Sequence, residues 1–232
     1  MATFALIPGA GGDAWDWHRV TAELTGRGHR AVALALPAAD PDADFDTYTD
    51  ACVDQLATAG VDIISDDDIV VVGLSLGGFT APILAARVGA TRIVLANAMI
   101  PHPRETPGHW FSTSGAGPAR AALAAEQGRA LGDDMDVMAE FFHDVPADLV
   151  AEAMSRPEPE QADAIMGCET PFDAWPAPVT VISGRDDRFF PPDFQQRIAR
   201  ERLGVEPMIV PGGHLMGLSR PAEVTDALLR VR

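Results

Sequence analysis

The stretch IVVVGLSLGGFT, Ile69 to Thr80, decides how this chain is read. Four β-branched residues in succession favour a strand covered on both faces. A glycine ends the run, and a lone serine follows among leucines and further glycines. The continuation LGGFTAPILAARV has a helix pattern. A strand, a bend and a helix in so few residues put Ser75 on a turn with strained dihedrals, and the neighbouring glycines let the chain pass close to its surroundings. Such a bend lifts a hydroxyl above the carboxyl ends of the strands, where open sheets receive ligands. Gly73 to Gly77 fit Gly-x-Ser-x-Gly, a short pattern that arises by chance; its weight comes from the strand before it and the helix after it. The structural alternative is a serine N-cap with glycines for packing.

Outward from this bend, short apolar runs alternate with helical patterns, as in a mostly parallel sheet flanked by helices. The predicted strands, about six, are Thr3 to Ile7, Arg30 to Leu36, Ile69 to Val72, Arg92 to Asn97, Pro178 to Ser183 and Pro207 to Val210. Helices are predicted over Trp15 to Gly26, Thr47 to Ala59, Leu76 to Val88 and Pro191 to Leu203. A last helix opens at SRPAEVTDALLRV, with Ser219 in position to cap it and Pro221 in its first turn. The rhythm breaks over residues 99–173, which hold no strand pattern and five of the eight methionines. An insertion of that length within one 1–232 domain predicts a helical lid. Its Trp110, Phe141, Met99 and Met138 are candidate substrate-binding residues, the alternative being that they pack lid helices onto the sheet.

The 232 residues carry 34 acidic against 17 basic side chains, a formal net charge of −17, so a basic footprint for nucleic acid or an anionic membrane is missing. The acidic runs DPDADFD (40–46) and SDDD (65–68) read as solvated loops. No lysine occurs, which excludes Schiff-base chemistry on lysine. Cys52 and Cys168 are too few for a disulfide framework and read as buried free thiols. MATFALIPGAGG has neither a basic n-region nor a long apolar segment, so no signal peptide or membrane span is expected, and the expected location is cytoplasmic.

A hydroxyl needs a base to become a nucleophile. Of six histidines, only His214 follows a late strand, in VPGGHLMGLSRP, between glycines that leave its ring free. His18 and His29 are expected at the surface, and His102, His109 and His143 in the lid. The acid should follow the preceding strand, where VISGRDDRFFPP offers Asp186 and Asp187, only one of which can face an imidazole. Serine, then aspartate, then histidine is the chain order of one class of catalytic triad.

These residues resemble the α/β-hydrolase superfamily over nearly the whole chain. The family pattern GxxDxxxP, met here as GRDDRFFP, implies Asp187 as the acid. LIPGAGGDAWDW resembles the HGxxxxxxxW loop that supplies one oxyanion donor, with Pro8 in place of histidine; the resemblance implies the Ala10 N–H for that role, beside the Leu76 N–H after the serine. PGAGGDAWDW and GHLMGLSRP are most similar to the methylesterase and hydroxynitrile lyase branch. Lyases of that branch place a lysine after the histidine; Leu215 here argues against cyanohydrin cleavage. The resemblance implies an ester-cleaving serine hydrolase with catalytic Ser75, Asp187 and His214, acting on a small, largely apolar carboxylic ester, with no metal or organic cofactor. Thioester, lactone or carbon–carbon cleavage on the same triad, and a non-catalytic small-molecule receptor, are the alternatives. GAGGDA also fits a dinucleotide fingerprint, but LALPAAD offers no acid at the tip of the second strand, and Tyr48 has Cys52 rather than lysine four residues on.

Overall fold

An apolar run without alternation puts side chains on both faces of a strand, so the strand needs cover on both sides. The computed structural model describes residues 1–63, 68–132 and 134–231. Its strands are β1 (Thr3–Ile7), β2 (Arg30–Ala33), β3 (Ile69–Leu74), β4 (Arg92–Ala96), β5 (Val179–Gly184) and β6 (Met208–Val210). They lie in the order β2-β1-β3-β4-β5-β6, every neighbouring pair parallel. The helices are α1 (His18–Gly26), α2 (Phe45–Thr58), α3 (Gly77–Val88), α4 (Pro107–Thr113), α5 (Ala116–Glu126), α6 (Val137–Glu140), α7 (Ala147–Ser155), α8 (Pro192–Leu203), α9 (Met216–Ser219) and α10 (Pro221–Arg230). Along β3, Ile69 and Val71 join the core under α2, α3 and α8, while Val70 and Val72 join the core under α1 and α10. This two-sided cover is the α/β-hydrolase architecture expected.

The chain leaves β1 toward β2 on one side and returns to β3 on the other. Ligands reach open α/β sheets at such a switch point, beyond the carboxyl ends of the strands. Ile7 pairs with Gly73, so the loop that starts at Pro8 runs beside Ser75. Residues 99–173, between β4 and β5, hold α4 to α7 and a tight turn at Asp163–Gly167, with no strand among the described residues.

Several boundaries differ from expectation for local reasons. β2 stops at Ala33 because Leu36 N–H turns to Gly12 O, 3.0 Å, and the strand leaves the ladder for the loop after β1. The first helix begins as a tight turn, Ala14–Trp17, before α1. α2 starts two residues early because the Asp44 carboxylate accepts from Thr47 N–H at 2.8 Å. Ser219 is not the cap of the last helix: it ends α9, and Arg220, without a side-chain cap bond, precedes Pro221. Cys168 is only partly buried, unlike Cys52, whose thiol burial pushes up to about 12. His18 and His29 are partly buried rather than free on the surface; His18 stacks on Trp15 with ring centres 4.8 Å apart. Residues 65–67 of the second acidic run lie outside the described residues. No helix among the described residues is long and apolar enough to cross a membrane.

Candidate active site

The turn after β3 is as tight as the glycines around it imply. Ser75 has φ of +51°, a left-handed value that costs on the order of 1–3 kcal/mol outside glycine and asparagine. The surrounding packing holds it there. A Cβ on Gly73 would stand 2.7 Å from Gly77 O, and one on Gly77 2.5 Å from Pro8 O. Gly78 backs onto the Met99 carbonyl just as closely. Ser75 O accepts from Met99 N–H at 2.9 Å, tying the bend to the loop after β4.

His214 lies in the loop after β6, and its Nδ1 is 2.9 Å from Asp187 Oδ2, both residues being buried. A carboxylate only accepts, so the bond assigns the ring proton to Nδ1 and leaves Nε2 an acceptor in the neutral ring. Asp187 Oδ1 accepts from Phe189 N–H at 2.8 Å and Phe190 N–H at 2.9 Å. The carboxylate is therefore held from both sides. Asp186 faces away: it accepts from Gly212 N–H at 3.2 Å and pairs with Arg185 at 3.4 Å. Phe141, Phe189 and Phe190 surround the imidazole with ring centres 5.2, 5.2 and 5.3 Å away.

Ser75 and His214 line one cavity of about 280 Å3, together with Gly9, Ala10, Asp16, Leu76, Met99, Phe111, Phe141, Phe142, Met166 and Phe189. His214 Nε2 has no hydrogen-bond partner among the described residues, so hydroxyl and ring share the cavity without being bonded to each other. Neither Leu76 N–H nor Ala10 N–H has an acceptor among the described residues. Both residues line the cavity. A hydroxyl, an acceptor nitrogen and two N–H groups without acceptors thus belong to residues that line one small volume.

Of the four residues predicted to bind substrate, Met99 and Phe141 line this cavity. Trp110 does not, and this is a correction. It is fully buried, donates from Nε1 to Ile100 O at 3.1 Å and packs edge-on against Phe190 and Phe194. One residue along α4 turns the side chain by about 100°, so Phe111 reaches the cavity instead. Met138 is likewise corrected: it stands 44% exposed on α6, whose inward residue is Glu140. Glu140 is buried between Arg120 at 3.0 Å and Arg129 at 2.6 Å, and this pairing fixes the turn that carries Phe141. His102 and His109 are exposed, while His143 packs against Gly213.

One positioning residue was missed. Asn97, buried just beyond β4 with φ of +44°, donates from Nδ2 to Gly213 O at 2.9 Å and His214 O at 3.0 Å. Its Oδ1 accepts from Gly184 N–H at 2.6 Å. It therefore links the loop bearing the histidine to the strand leading to Asp187. The available signal was a polar residue closing the apolar run RIVLAN. Asp144 adds a second tie, accepting from Gly213 N–H at 2.8 Å. No group of three or more His, Cys, Asp or Glu residues among the described residues is arranged to hold a metal ion.

Comparison with known proteins agrees with this fold. A rice protein, "Probable esterase PIR7A" from Oryza sativa subsp. indica, is 34% identical over 91 residues, covering 36% of this chain and 33% of the relative. The match thus spans about a third of that relative's length. The crystal structure of polyneuridine aldehyde esterase superposes with a TM-score of 0.77 at 18% identity, covering 100% of this chain and 99% of that one. A methylesterase protein from Arabidopsis, MES16, superposes with a TM-score of 0.74 at 17% identity, covering 100% and 98%. The model of the alpha/beta hydrolase family matches residues 4–227. With that match over nearly its whole length, on this sheet order and this serine bend, the chain belongs to the alpha/beta hydrolase family.

Proposed function

We propose that this protein hydrolyses small, largely apolar carboxylic esters through an acyl-enzyme formed on Ser75. The observation that carries the proposal is the 2.9 Å bond from His214 Nδ1 to Asp187, which leaves Nε2 without a partner in the cavity that Ser75 lines. Ser75 Oγ attacks the ester carbonyl carbon as His214 Nε2 takes the hydroxyl proton. The oxygen of the tetrahedral intermediate accepts from the N–H groups of Leu76 and Ala10. Collapse breaks the bond to the alcohol, which leaves with the proton from His214. A water then attacks the acyl carbon, giving its proton to His214, and the acid departs as Ser75 regains a proton. Asp187 keeps the imidazole tautomer and stabilises the imidazolium. Hydrogen bonds of this kind that are open in the free enzyme close when substrate binds.

The walls of Met99, Phe111, Phe141, Phe142, Met166 and Phe189 favour an apolar acyl or alcohol group. Residues 99–173 supply most of them and act as the lid over the site. The esterase names of the rice and polyneuridine aldehyde relatives support ester over thioester, lactone or carbon–carbon chemistry. The test is labelling with a fluorophosphonate, located by peptide mass spectrometry, alongside turnover of p-nitrophenyl esters of increasing chain length. A phosphonyl adduct on Ser75 with saturable turnover is the expected result. A wild-type protein that neither labels nor turns over any ester is a binder, not a hydrolase.

Asn97→Leu is expected to lower kcat by about 100-fold, since small misplacements of a catalytic group cost on that order. KM should change much less, because Asn97 does not line the cavity. Steady-state kinetics on one ester give the split. Equal loss through KM would mean that Asn97 shapes the pocket rather than the histidine loop.

A further inference from the structure

Asp16 is the only carboxyl among the described residues lining the cavity at Ser75. It also lines a second cavity of about 540 Å3, whose walls include Trp15, Val137, Met154 and Arg156. Ala10, Phe141, Phe142 and Pro159 border both, so Asp16 stands where the two spaces meet. Its backbone is fixed there. Asp16 lies in the tight turn Ala14–Trp17, Trp17 Nε1–H donates to Ile7 O at 3.0 Å, and the Asp16 carbonyl backs onto Gly217.

The carboxyl itself has no hydrogen-bond or ion-pair partner among the described residues. The nearby cation is already used: Arg156 pairs with Asp13 at 2.8 Å and lies over the Trp15 ring at 5.3 Å. Glu152, from α7, accepts from Trp15 Nε1–H at 3.0 Å, and Glu158 lines the outer cavity. Burial first, and then the Asp13 charge, push the Asp16 carboxyl up to about 7, against smaller opposing pulls from His214 and Arg156. A neutral carboxylic acid donates a hydrogen bond, whereas a carboxylate only accepts.

We propose that Asp16, as the neutral acid, donates a hydrogen bond to an acceptor oxygen of a substrate that spans both cavities, and so selects esters whose far arm bears an ether or carbonyl oxygen. The proposal rests on the ester-hydrolase function above and adds the chemistry of the substrate's second arm. Asp16 is then a specificity-determining residue, separate from the groups that make and break the ester bond.

The test uses p-nitrophenyl alkanoates in which one methylene beyond the β carbon is replaced by an ether oxygen at successive positions, each beside the all-carbon ester of equal length. The ratio of kcat/KM within a pair cancels every pH-dependent step that the two esters share. In the wild type the best-placed ether oxygen should be preferred about five- to tenfold, the range of a single neutral hydrogen bond. That preference should fall as pH rises through about 7, where Asp16 ionises. Asp16→Asn keeps a donor and should hold the preference at every pH; Asp16→Leu should abolish it.

Thermal unfolding gives a readout independent of turnover. The folded carboxyl binds its proton more tightly than the unfolded one, whose ordinary value is 3.8, so wild-type stability should fall as pH rises from about 4 through about 7. Asp16→Asn lacks that loss, and its Tm should gain on the wild type across the interval. A preference that survives in Asp16→Leu, that rises with pH, or a Tm difference that stays constant would overturn the assignment. A wild type inactive on every ester would instead overturn the hydrolase function on which it rests.

Discussion

Ser75→Ala should lower kcat on a p-nitrophenyl ester by about a millionfold, the scale seen when the nucleophile of a serine triad is removed. Alanine deletes only the hydroxyl oxygen, and the bend does not depend on it. The left-handed φ of +51° is held by contacts of Gly73, Gly77 and Gly78 and by the 2.9 Å bond from Met99 N–H to Ser75 O, all of which remain. The variant should therefore fold and keep its cavity, and weak binding of a product acid should persist. Fluorophosphonate labelling should vanish with the activity. His214→Ala should cost nearly as much, and the double variant little more than either single one, because the two groups act as a unit. Full turnover by Ser75→Ala would remove Ser75 from the mechanism.

Asp187→Asn should lower kcat by about 10,000-fold, and the reason lies in how the carboxylate is held. Oδ1 faces two donors, the N–H groups of Phe189 and Phe190, so the amide oxygen of asparagine must take that place. The amide NH2 is then turned toward His214 Nδ1, which must accept. The ring proton moves to Nε2, and the nitrogen left open in the cavity that Ser75 lines can no longer take a proton. Asp186→Asn is the comparison, since Asp186 bonds to Gly212 and Arg185 and not to the ring. Its effect on kcat should stay below about tenfold, the scale of one peripheral hydrogen bond. Comparable losses in the two variants would show that the tautomer is not what Asp187 controls.

Much of this site was legible along the chain because its signals are local. A strained bend needs glycine at each backbone contact, so Gly73, Gly77 and Gly78 mark Ser75 in the sequence itself. Strand β3 announced itself by β-branched residues because both of its faces are covered. The choice between Asp186 and Asp187, by contrast, turned on a family pattern, and their separate directions become visible only when the loops after β5 and β6 meet. The helical segment was least legible. Trp110 and Phe111 are adjacent, equally apolar, and differ in role only by their angle around α4. Asn97 and Asp16 escaped notice for a related reason: a single polar residue beside an apolar run has no periodicity to betray what it will face.

From its sequence alone the chain determined the parallel sheet, the serine on its bend and the order of serine, acid and histidine, because each strand and each turn that carries a site residue is marked by residues a few positions apart. Tertiary structure decided which aspartate meets His214, which aromatic ring lines the cavity, and that Asp16 stands at the junction of two spaces. Those outcomes depend on contacts between segments distant in the chain, where direction in space, and not residue type, determines which atoms touch.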